Sequence, residues 1–82
     1  MERLVRFSFQ GYMDMYPEIE HRWMDPSDAR AYIRHMNANW SGGHYSNTFK
    51  VLSREEALAF VDSDRCAPSC RDWLKKNILE NY

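Results

Sequence analysis

Arg3-Leu4-Val5-Arg6-Phe7-Ser8-Phe9-Gln10 is the stretch on which the fold turns. Val5, Phe7 and Phe9 fall on one side of an extended chain, with Arg6, Ser8 and Gln10 on the other. A period of two predicts a half-buried strand, because the apolar positions of a helix would recur every three or four residues. Leu4 is the one member that does not fit the alternation. Downstream, Gly11 and the segment Tyr12-Met13-Asp14-Met15-Tyr16-Pro17 interrupt the pattern. Pro17 lacks an N–H and is unsuited to a central strand. Residues 18–24 resume the period of two: Ile19, His21 and Trp23 share one face, and Glu18, Glu20 and Arg22 are expected to face water. A hairpin across residues 10–17 is the simplest connection.

The period then changes. Asp25-Pro26-Ser27-Asp28 reads as a helix start, with Asp25 as cap, Pro26 in the first helical position and Asp28 where a capping-box carboxylate belongs. Ala29, Tyr32, Ile33 and Met36 form its apolar stripe, with Arg30 and Arg34 on another face. Asn37 to Gly43 is the expected exit. Residues 44–51 alternate again, Tyr45, Asn47, Phe49 and Val51 against Ser46, Thr48 and Lys50. Ser53 and Glu56 make a capping box for a second helix that runs to about residue 62. Ser69 and Asp72 suggest a weaker one for a third helix, with Cys70, Trp73, Leu74 and Ile78 on one stripe and Leu79 and Tyr82 beside it. The order β-β-α-β-α-α predicts a small two-layer α+β domain, a three-stranded and mainly antiparallel sheet with helices packed on one face.

At 82 residues and 9.9 kDa the chain is expected to make one domain, residues 1–82. A hydrophobic content of 44% and an aromatic content of 15% exclude intrinsic disorder. No apolar run approaches the roughly 18 residues of a membrane span. Met1-Glu2-Arg3-Leu4-Val5 lacks the apolar core and small-residue cleavage site of a secretory signal. Two cysteines are too few for a disulfide scaffold, so the expectation is a cytoplasmic protein with free thiols and no membrane association. A net charge of −1 speaks against a broad polyanion binder. The charge is uneven: Glu2, Asp14, Glu18, Glu20 and Asp25 outnumber Arg3, Arg6 and Arg22 early in the chain, whereas Arg30, Arg34 and Lys50 face only Asp28 in residues 26–50.

No constellation carries catalysis. Cys66 and Cys70 are separated by three residues, not the two of a redox dithiol, and His21, His35 and His44 do not complete a zinc-ligand spacing. Ser41-Gly42-Gly43-His44 lacks the lysine of a phosphate-binding loop. Neither a catalytic residue, a metal nor a cofactor is expected.

Three Trp, five Tyr and four Phe side chains exceed what a core of this size can centre, so some belong at the surface or beneath a partner. Tyr12, Asp14, Tyr16, Glu18, Glu20 and Trp23 form the candidate protein-binding set. The expectation is a non-enzymatic adaptor or inhibitor that acts stoichiometrically on a larger protein or complex. Phage- or plasmid-encoded antagonists of host defence are one class of that size, and a homo-oligomer is also compatible. The alternative is a small RNA- or DNA-binding module. In it Arg30, Arg34 and Lys50 would contact phosphates while Trp40 and Tyr45 stack on bases.

Overall fold

Six elements follow in the expected order: β1 (Arg3–Gln10), β2 (Glu18–Met24), α1 (Pro26–Ala38), β3 (Ser46–Val51), α2 (Arg54–Val61) and α3 (Pro68–Asn81). The computed structural model describes residues 1–11, 15–38 and 46–82. The strands form one antiparallel sheet in the order β2-β1-β3, and the protein is a small α+β globule. β1 is central, which suits the stretch with the strongest alternation.

Register explains both faces of the sheet. Val5 lies between Arg22 and Val51, and Phe7 between Glu20 and Phe49. These pairs share the face on which α1 packs, where Val5, Phe7, Ala29 and Ile33 are buried together with Tyr32, Phe9, Phe49 and Val51 around them. Phe7 stacks on Phe9 at 5.7 Å and meets the Tyr32 ring edge-on at 5.5 Å. Leu4 points the other way. It is buried with Leu52, Ala57, Phe60, Val61, Cys66 and Ile78, beneath α2 and α3. The helices therefore cover both faces, and the expectation of two layers with helices on one side is corrected to α1, sheet, then α2 with α3. The residue that broke the alternation, Leu4, is the one that anchors the second core.

Helix ends follow local chemistry. The Asp25 carbonyl accepts from the amides of Asp28 and Ala29, and its carboxylate accepts from the Ser27 amide at 2.8 Å. The other carboxylate oxygen holds the Met1 ammonium at 2.7 Å, and this pairing keeps the Asp25 carboxyl well below the usual acid range. α2 opens on the expected reciprocal box: Ser53 Oγ accepts from the Glu56 amide, and Glu56 Oε1 accepts from the Ser53 amide. α3 differs from expectation. Its cap is Ala67 with no side-chain bond, and Pro68 occupies the first turn in place of the Ser69–Asp72 box. A proline there gives up only an N–H that the helix leaves unpaired anyway.

Two side-chain devices tie the elements together. Arg71 of α3 reaches back to the end of α2: its Nε donates to the Val61 carbonyl at 2.9 Å, and one terminal nitrogen donates to the carbonyls of Ser63 and Cys66. A guanidinium thereby satisfies carbonyls that a helix C-terminus leaves orphaned. Tyr82 completes the sheet. The Leu52 amide donates to the Leu4 carbonyl, but the return bond is made through a hydroxyl: the Leu4 amide donates to Tyr82 Oη at 3.1 Å, and Tyr82 Oη donates to the Leu52 carbonyl at 2.6 Å. Arg3 lies over the same ring at 4.6 Å. Asn37 and Asn47 tie α1 to β3 in a similar reciprocal way.

Candidate protein-binding surface

Among the described residues β2 bonds only to β1 and forms one edge of the sheet. The chain enters it through Met15, Tyr16 and Pro17, all exposed. Met15 is 83% exposed, Tyr16 79% and Ile19, in β2 itself, 43%. Three large apolar side chains within five residues of an edge strand are not accommodated by either core. Leaving them in water forfeits on the order of 1.5–3 kcal/mol for each one that a partner could bury.

The predicted set does not form one face. Tyr12 and Asp14 lie outside the described residues. Tyr16 and Glu18 are exposed as expected. Glu18 and Glu20 pair across to Phe9 and Phe7, so both acids project on the α1 side. The expectation that Glu20 and Arg22 simply face water is corrected: they pair at 2.8 Å, and the Arg22 guanidinium lies over the rings of Tyr32 and Phe7 at 5.1 and 5.6 Å. A flat, weakly hydrated guanidinium can rest on aromatic faces in this way. Trp23 projects on the opposite side, half-buried, with its ring 6.3 Å from Trp73 and 6.0 Å from Tyr82. It closes the Leu4 core more than it offers an anchor.

Sequence reasoning missed the exposed apolar residues of α3. Trp73 is 55% and Leu79 51% exposed, although both had been placed on or beside a buried stripe. Only one face of α3 meets the sheet, through Ile78 and Leu74. Cys66, in the turn, occupies the core, and Cys70 is exposed.

The α2–α3 side of the sheet carries three successive cross-strand rows. The half-buried Trp23 with the buried Leu4 and Leu52 forms the innermost one. His21, Arg6 and Lys50 form the next, and Ile19, Ser8 and Thr48 the third, with Ile19 and Thr48 exposed. The His21 ring stacks on Phe60 with centroids 3.8 Å apart and accepts from Arg6 Nε at 3.1 Å. Its pKa falls to about 4, chiefly through burial, then through the charges of Arg6 and Arg65. The imidazole is therefore neutral at pH 7, with Nε2 as its acceptor. A cleft of about 310 Å³ opens here between β2 and α3, lined by Ile19, His21, Trp23, Phe60, Arg65 and Leu74 among others.

The alternative basic set is also divided. Arg30 and Arg34 are exposed on α1, whereas Lys50 lies across the sheet with its ammonium 2.6 Å from Glu56. Trp40 and Tyr45 lie outside the described residues. Among the described residues, no three His, Cys, Asp or Glu side chains converge as metal ligands, and no helix is long and apolar enough to cross a membrane. Comparison with family models, with curated proteins and with solved structures gives no match for this chain.

Proposed function

We propose that this protein acts by stoichiometric, non-catalytic binding to a larger protein, as an adaptor or inhibitor. The contact is made by the edge of β2 and the segment that leads into it. The observation that carries this reading is the exposure of Met15, Tyr16 and Ile19 beside an edge strand. Edge strands invite pairing with another chain, and exposed apolar side chains at their side supply the affinity that backbone bonds alone do not. Glu18 adds a charged rim of the kind that surrounds interface anchors.

The test is retention of a protein partner from nuclease-treated lysate at about 0.3 M salt, where exposed charge pairs are largely screened. Tyr16→Ser and Ile19→Lys alter exposed side chains, so the fold should be unaffected. A discrete protein retained by the native chain and weakened by about 10-fold or more in these variants supports the reading. Equal retention by the variants refutes the placement of the surface. Loss of all co-purifying material on nuclease treatment favours the nucleic-acid module instead.

A further inference from the structure

We propose that the cleft between β2 and α3 recognises an acidic–apolar peptide segment of the partner protein, with a large apolar side chain in the cleft and an adjacent Glu or Asp carboxylate on Arg65 and Arg6. The apolar half is supplied by Ile19, Trp23, Phe60 and Leu74. The cationic half adjoins it: a second cleft is lined by Arg6, Glu56, Phe60 and Arg65, so Phe60 and Arg65 border both.

Charge complementarity selects the occupant. Two acidic residues border these clefts, and neither offers a free carboxylate: Glu20 projects to the α1 side, and both acids are already engaged. Glu20 accepts from Arg22, and Glu56 accepts from Lys50 with one oxygen and from the Ser53 amide with the other. Among the described residues Arg65 has no side-chain acceptor, and Arg6 spends only its Nε, on His21. Two guanidinium forks thus remain open beside an apolar cleft, the geometry suited to bidentate carboxylate recognition. His21 reports on that field, because the same two arginines oppose its protonation. A carboxylate placed between them would relieve that opposition. A larger cleft, about 590 Å³, is lined by Met1, Arg3, Asn81 and Tyr82, but there Arg3 is already bound to Glu2 and Asn81 carbonyls.

Only the carrier of the ligand depends on the protein-binding reading. The test uses N-acetyl-leucyl-glutamyl-leucinamide and its glutaminyl counterpart as probes, followed by NMR on the His21 ring. The expected result is saturable shifts at His21 with millimolar affinity. The glutaminyl probe, or Arg65→Gln with an unchanged thermal midpoint, should weaken binding by about 10-fold, the loss of one charge-assisted contact. Equal binding of the two probes, no effect of Arg65→Gln, or no saturable shift overturns the site. Those outcomes leave retention of a partner through Tyr16, which lies outside the cleft lining, untouched. Probe binding without any retained partner upholds the site and refutes the protein-binding reading.

Discussion

Tyr82→Phe removes one oxygen atom and nothing else, yet that oxygen stands in for a rung of the sheet. In the native chain it accepts from the Leu4 amide and donates to the Leu52 carbonyl, and both residues are 1% exposed. Without it the Leu4 amide and the Leu52 carbonyl both lose the partner that bridges them. Two hydrogen bonds worth about 0.5–1.5 kcal/mol each are lost, and the stranded groups add a desolvation cost unless water enters. The adjoining cleft at Arg3 and Tyr82 admits water, so the expected loss is about 1–2 kcal/mol. For a domain of this size that lowers the thermal midpoint by about 5–15 °C. Circular dichroism melts of both proteins measure the shift. Amide exchange at Leu4 adds a local readout, since its protection should fall further than that of Phe7. A midpoint within a degree or two of native, with Leu4 protection retained, would show that the hydroxyl bridge contributes nothing.

Arg71→Met keeps much of the side chain's bulk but frees the carbonyls of Val61, Ser63 and Cys66. Bonds from a charged donor are worth about 1.5–3 kcal/mol, so a urea midpoint corresponding to about 2 kcal/mol less stability is expected. Ser53→Ala should cost about 1 kcal/mol by removing the cap on the Glu56 amide, read by the same titration. Stability should also fall as pH drops from about 6.5 to about 4. In that window the unfolded chain binds a proton at His21 that the folded chain refuses. Above it the imidazole is neutral in both states and the contribution is complete. The ring is partly solvated, which reduces the effect to about 1–2 kcal/mol, and His21→Gln should flatten the slope. Glu56 overlaps only the acid end of this window. Its pKa is lowered to about 2, foremost by Lys50, so the stability it adds is present above its ordinary 4.5 and lost as pH falls through about 2.

The elements were legible because their signals are local. The period of two in residues 3–10, the Asp25-Pro26 start and the Ser53–Glu56 box each specify backbone geometry within a few residues. What was not legible depends on distant pairing. Leu4 was an anomaly until α2 and α3 supplied a second core for it. The same holds for Arg71 and Tyr82, whose bonds reach across a turn and across 78 positions. Of the candidate surface, Tyr16 and Glu18 were readable as exposed polar–aromatic chain beside a proline. The arginine lip was not, because cross-strand register brings Arg6 beside His21 and a turn brings Arg65 near them.

The hydroxyl that joins Leu4 to Leu52 comes from 78 positions along the chain, and Arg3 bonds to the Asn81 carbonyl over the same separation. The central strand is therefore incomplete until the segment that carries Tyr82 has been brought round to it. Closing such a loop costs chain entropy before the contacts it permits are formed. Contacts of that separation are slow to form beside the rapid winding of three short helices. A version of the fold with Tyr82 delivered from a nearer segment would reach its native state sooner at similar stability.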